Sequence, residues 1–251
     1  MSERAVAILA GPTRKLPDRR AHEVFEEQAR VQPQTIAAVH GSRQLTYAEL
    51  NARANHVARA LSARGLTREG VVGVVAERNL DWLTAVLAIF KAGGVYLPVE
   101  PHFPPERVAK MLSRAGARLV LTDGSGAASG GAARCAPTLL IDTAHEEGHS
   151  DADLGIAVTP DQLAYIYFTS GSTGEPKGAM CEHAGLLNHL LAKIDDLKIG
   201  EGTEKCRSTA APSGPPRSLR QSSSRRSWRR GGSRVPRART SRPWAPQWSR
   251  R

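Results

Sequence analysis

Apolar positions along this chain switch between helical spacing and short continuous runs of the kind that buried strands carry. Asp18 is placed to cap a helix reaching about Arg30, with Ala21, Val24, Phe25 and Gln28 along one side. Thr35 to His40 reads as a strand, turned at Gly41-Ser42 toward Leu45. Thr46 and Glu49 have the spacing of a capping box, and Leu50, Ala54, Val57, Ala58 and Leu61 form the apolar face of the helix behind it, ending at Gly65. Val71 to Ala76 is a β-branched run suited to a strand covered on both faces. Asn79 can cap a helix with Leu83, Val86, Leu87 and Phe90 inward, closed by Gly93-Gly94, and Val95 to Val99 is the next strand. Pro104-Pro105 opens a helix with Val108, Met111 and Leu112 inward and Gly116 as its stop. Leu119 to Leu121 is a strand, residues 123–137 a Gly/Ala/Ser-rich loop, and Thr138 to Asp142 a short strand. Leu163 to Phe168 is a strand that leads through a glycine-rich loop to a helix with Leu186, Leu187, Leu190, Leu191 and Ile194 inward. Strands alternating with helices at this spacing predict an α/β domain with a largely parallel sheet.

Charge divides the chain. Of the 35 lysines and arginines, thirteen are arginines within residues 206–251, a segment with no Lys, Asp or Glu; the other residues carry 22 basic against 24 acidic side chains. The net charge of +11 therefore belongs to the end of the chain, and the body reads as an ordinary soluble protein. Cys135, Cys181 and Cys206 have neither redox nor zinc spacing, which suits a reducing compartment. The apolar run Ala5 to Ala10 is too short for a signal peptide, and the run Trp82 to Phe90 stops at Lys91 before it could span a membrane. These features predict a cytoplasmic protein with no membrane partner.

One segment carries chemistry. Thr169-Ser170-Gly171-Ser172-Thr173-Gly174-Glu175-Pro176-Lys177-Gly178 follows a predicted strand. Glycines let backbone N–H groups close on an anion, the hydroxyls add donors, and Lys177 adds a charge. No Gly-Lys-Ser/Thr follows, so this is not a Walker A loop. Chemistry alone leaves a phosphate-binding loop or a hydroxyl-rich surface turn.

The residues Leu163-Ala164-Tyr165, Thr169 to Gly174, Pro176-Lys177-Gly178 and Glu182-His183 resemble the signature of the adenylate-forming superfamily. Leu45 to Leu50 resembles the first core motif of the adenylation (AMP-binding) domains of nonribosomal peptide synthetases. Lys91 to Pro101, with Pro105-Glu106-Arg107, resembles the second. The loop alone would also fit acyl-CoA synthetases or luciferases; the second motif favours amino-acid activation. Departures are Phe90 for the usual leucine, Glu100 for aspartate and Phe168 for tyrosine.

The resemblance implies the N-terminal part of the adenylate-forming large domain, with an incomplete sheet, over residues 19–205, preceded by a disordered segment 1–18. It implies a ligase that joins a carboxylate to Mg-ATP as an acyl-adenylate, releasing pyrophosphate, and passes the acyl group to phosphopantetheine on a peptidyl carrier domain. Thr169, Ser170, Gly171, Ser172, Thr173, Gly174 and Lys177 would then hold ATP phosphates. The family's later motifs, for the substrate amino group, adenine, ribose and catalytic lysine, are not found in these 251 residues. The expectation is therefore a chain inactive by itself, with no catalytic residue and no metal ligand of its own.

Two other signals are set aside. His145-Glu146-Glu147-Gly148-His149 has the letters of a zinc-protease motif, but Gly148 and the lack of an apolar face predict a solvated loop. Cys181-Glu182-His183 reads as core packing rather than a metal site. Residues 206–251 are Arg, Ser, Pro, Gly, Ala and Trp with only Leu219 and Val235 as larger aliphatics, a composition that predicts disorder. As an arginine-rich arm, with Trp228, Trp244 and Trp248 as stacking faces, it would bind nucleic acid non-specifically. GC-rich codons read out of frame give the same composition, and this is the reading adopted. The DNA encoding residues 206–251 should then spell, in one of its other forward frames, a hydrophobic α/β pattern with the aromatic-Asp motif. Stops or polar low-complexity sequence in both frames would restore the arginine-rich arm.

Overall fold

The computed structural model describes residues 15–123, 125, 131–169 and 177–199. Helix α1 (Ala21–Val31) leads to a hairpin of β1 (Ile36–His40) and β2 (Arg43–Thr46). Then come α2 (Tyr47–Ala63), β3 (Val71–Val75), α3 (Leu80–Lys91), β4 (Val95–Val99), α4 (Pro105–Ala115) and β5 (Leu119–Thr122). The order continues with β6 (Thr138–Leu140), α5 (Ile141–Glu146), β7 (Leu163–Thr169), β8 (Lys177–Glu182) and α6 (His183–Asp196).

Six strands form one sheet in the order β6-β5-β3-β4-β7-β8, parallel except for β8, which runs antiparallel to β7. Alternation along the strands feeds two cores. Val72, Val74, Tyr96, Leu119 and Leu121 face α2 and α3, whereas Val71, Val75, Val95, Leu97, Val99 and Val120 face Val108, Met111 and Leu112 of α4. Helices thus cover both faces, the arrangement expected for a parallel sheet.

Local chemistry starts the elements where the sequence indicates. The Glu49 N–H donates to Thr46 Oγ1 at 3.2 Å, and the Thr46 N–H donates to Glu49 Oε2 at 2.8 Å. This reciprocal cap holds Glu49 ionised below its usual range. Asn79 accepts from the Trp82 N–H at 2.9 Å. Leu50, Ala54, Val57, Ala58 and Leu61 are all buried.

Four expectations are corrected. Asp18 does not cap α1. Arg20 occupies that position, its backbone N–H donating to Glu23 at 2.7 Å, while exposed Asp18 pairs with the Arg20 guanidinium. The buried face of α1 is His22 and Ala29 with Phe25 beside them, rather than Ala21, Val24 and Gln28. The strand at Thr138 ends at Leu140, because Ile141 and Ala144 turn inward on α5. On α6 only His183 and Leu187 are buried, whereas Leu190 and Ile194 are exposed.

Lys91, the last residue of α3, is fully buried and ion-pairs with Glu26 of α1 and with Asp153 at 3.0 Å. Asp153 also accepts from Asn51 at 2.9 Å and Asn55 at 3.0 Å, both on α2. Burial alone would raise the Asp153 pKa, but these donors outweigh it and hold the group below its usual range. One buried cation therefore ties α1, α3 and the segment after α5 to α2. Lys91→Met leaves two carboxylates without their buried partner and should cost about 3 kcal/mol in urea unfolding. A loss below about 0.5 kcal/mol would show that the pair is idle.

Candidate functional site

The β7–β8 hairpin positions the predicted loop. Thr169 ends β7 and stands opposite Lys177, the first residue of β8. The Thr169 hydroxyl donates to the Lys177 carbonyl at 3.4 Å, and both residues are exposed. Of the predicted site, Thr169 and Lys177 are thus brought together across the hairpin; Ser170, Gly171, Ser172, Thr173 and Gly174 lie outside the described residues. Because β7 runs parallel to β4, the hairpin mouth opens at the carboxyl edge of the sheet, where open α/β sheets take their ligands. A threonine and a lysine suit phosphate oxygens, whereas a bare divalent cation would find one hydroxyl and no carboxylate among these two residues.

Burial along the hairpin falls from its base toward its mouth. Ala164 and Ile166 of β7 are buried, while Tyr167 is exposed near the mouth. Gly178 faces Phe168 across the strands, and a Cβ there would stand 3.2 Å from Ile166 Cγ2. The Tyr165 phenol lies against the Cys181 thiol, and that hydrogen bond together with burial raises its pKa to about 12. Of the Cys181-Glu182-His183 run read as core packing, His183 is buried against Phe90, but Cys181 is only half-buried and Glu182 is exposed.

The base is pinned to the loop after α3, a role that sequence reading missed. The buried Gln162 side chain donates to the Gly93 carbonyl at 2.9 Å, and the Gln162 carbonyl accepts from the His183 N–H at 2.9 Å. Gly93 has φ +69, so glycine suits this turn. The same Gly93 carbonyl accepts from the Glu69 N–H at 2.9 Å, and the Glu69 carboxylate accepts from the Leu163 N–H at 2.8 Å where β7 begins. No signal in the sequence marks Gln162 or Glu69; both end short polar stretches just before predicted strands.

The His145–His149 segment is partly helical rather than a loop. His145 lies on α5, but the helix ends at Glu146 and Gly148 takes φ +71. The two histidines therefore do not share a helix face. His149 pairs with Glu147 at 3.1 Å, and Glu147 pairs with Arg64.

The model of the AMP-binding enzyme family matches residues 25–210. The chain belongs to the AMP-binding enzyme family. It is 42% identical over 180 residues to tyrocidine synthase 3 of Brevibacillus parabrevis, covering 71% of this chain and 3% of that protein. It is also 42% identical over 166 residues to bacitracin synthase 2 of Bacillus licheniformis, covering 66% of this chain and 6% of that protein. The chain thus spans only a few per cent of the curated relatives it matches. Among solved structures it resembles the nonribosomal peptide synthetase FmoA3 bound to α-methyl-L-serine-AMP, with TM-score 0.68, 34% identity, and coverage of 73% of this chain and 20% of that one. It also resembles the Klebsiella oxytoca NpsA N-terminal subdomain, with TM-score 0.58, 29% identity, and coverage of 67% and 43%. The fold of this AMP-binding family member is the N-terminal portion of the adenylate-forming domain found in nonribosomal peptide synthetases. Among the described residues no helix is long and apolar enough to cross a membrane.

The base of the hairpin carries a pH dependence. Burial, with the charges of His183, Lys91 and Arg20 and against that of Asp153, lowers the His22 pKa to about 3. Burial and Arg20 lower that of His183 to about 4. Both rings are neutral when folded, whereas in the unfolded chain they protonate near 6.5. The unfolded state therefore binds more protons below that pH, and stability present above 6.5 is lost as pH falls toward 4. Urea unfolding at pH 7 and pH 5 should differ by roughly 1–2 kcal/mol for each histidine. Equal stability at the two values would contradict neutral buried rings.

Proposed function

We propose that this chain supplies the ATP-phosphate-binding part of an amino-acid-adenylating ligase of the nonribosomal peptide synthetase type. The supporting observation is the hairpin that brings Thr169 opposite Lys177 at the carboxyl edge of the parallel sheet. In the full reaction an amino-acid carboxylate attacks the α-phosphate of Mg-ATP, forming an aminoacyl-adenylate and releasing pyrophosphate. Phosphopantetheine on a carrier domain then takes the acyl group. Thr169 and Lys177, with Ser170 to Gly174 between them, hold and neutralise the outgoing β,γ-phosphates, which is positioning and electrostatic work. The magnesium ion arrives on the nucleotide. The relatives named above are peptide synthetases, which supports amino-acid rather than fatty-acyl activation; an acyl-CoA-type ligase is the alternative.

The 251 residues taken alone hold the phosphate loop without the motifs that the family uses for substrate, adenine, ribose and catalytic lysine. By itself the chain binds without turning over. Pyrophosphate exchange with a panel of amino acids should show no amino-acid-dependent signal, and robust exchange would overturn this. Calorimetric titration with Mg-pyrophosphate should show weak binding that Lys177→Ala and Thr173→Val each reduce by at least about tenfold, the share of about one hydrogen bond to a charged group. Equal affinity in all three proteins would make the loop a surface turn.

A further inference from the structure

Three buried side chains meet where α1 crosses the start of α6. His183 is fully buried and His22 nearly so, with ring centroids 5.9 Å apart in an edge-to-face contact. Phe90 closes the other side of His183 at 5.3 Å. Both ring nitrogens of His183, Nδ1 of His22 and Nε of buried Arg20 find no hydrogen-bond partner among the described residues. Leaving a buried polar atom unsatisfied costs about 1–3 kcal/mol, so four on one small junction favour any small polar molecule that bonds to them.

The chemistry of the four atoms selects that ligand. The guanidinium Nε–H only donates, while each neutral imidazole presents one N–H donor and one bare acceptor nitrogen. A bound anion would face the acceptor nitrogens, and a metal cation would face the Arg20 charge. A molecule that both donates and accepts satisfies all of them. The two nitrogens of one imidazole diverge, so a single small molecule cannot serve both sides of His183. We propose that two internal water molecules bridge Arg20, His22 and His183, and that they lock the corner where β8 passes into α6. These waters hold the fixed end of the strand whose other end is Lys177. Their neighbourhood is charged but balanced: Arg20 pairs with Asp18, and Lys91 with Glu26 and Asp153.

The test is a crystal structure of the full chain at a resolution where waters are unambiguous, near pH 7. The expected result is two density peaks within about 2.6–3.2 Å of His183 nitrogens, at least one also within reach of His22 Nδ1 or Arg20 Nε. Direct contact between the imidazoles, a dry junction, or a peak with anomalous signal or anion geometry would each overturn the proposal. In solution, ring protons of His183 should show exchange cross-peaks to long-lived water in NMR of the wild-type chain. Their absence, with the rings otherwise ordered, would also defeat it.

Discussion

The structure depends on one buried charge. Lys91 ends α3 with no side-chain exposure, and its ammonium is compensated by Glu26 from α1 and by Asp153, itself held by Asn51 and Asn55 of α2. A buried pair is weak evidence for net stability, because desolvation offsets much of the attraction. What the charge does here is geometric: α1, α2, α3 and the segment after α5 all contribute to one connected set of partners. Further bonds fasten the same segment, since Arg59 of α2 donates to the Ser150 and Ala152 carbonyls at 3.1 and 2.7 Å and Asn55 donates to the Asp151 carbonyl at 2.6 Å.

From that tie a short path leads to the site. Two residues beyond Lys91, the Gly93 carbonyl receives the Gln162 side chain, and the Gln162 carbonyl receives the His183 N–H at the start of α6. Glu69 fastens the first residue of β7 to the same glycine. The hairpin base is thus held by four hydrogen bonds through Gly93, Glu69 and Gln162, whereas Thr169 and Lys177 at the mouth are exposed. The motif beginning at Lys91 is thereby joined to the base of the β7–β8 hairpin, since Gly93 anchors the starts of β7 and α6 through Glu69 and Gln162.

Much of this was legible in the sequence. Thr46 and Asn79 announce their helices because capping is a local interaction. The β-branched run at Val71 announces a strand covered on both faces for a similar reason, since burial there follows from the run itself. The failures are tertiary. Asp18 has the right chemistry for a cap, but the chain turns helical two residues later and Arg20 takes the position. Ile141 and Ala144 are too few to give a helical period, so α5 reads as the end of a strand followed by loop. Leu190 and Ile194 fit an inward stripe on α6, yet burial on that helix is confined to His183 and Leu187. Lys91 sits in a recognisable motif, but only the fold reveals that its partners come from sixty-odd residues away on either side.

The central claim is that the hairpin mouth binds phosphate while its base stays fixed by Gly93, Gln162 and Lys91. Amide hydrogen exchange of the chain with and without saturating Mg-pyrophosphate tests this residue by residue. The account predicts added protection confined to residues 169–178, with the amides of α3 and of residues 92–99 unchanged and already slow. Protection spread over α3, or none at 169–178, would contradict it.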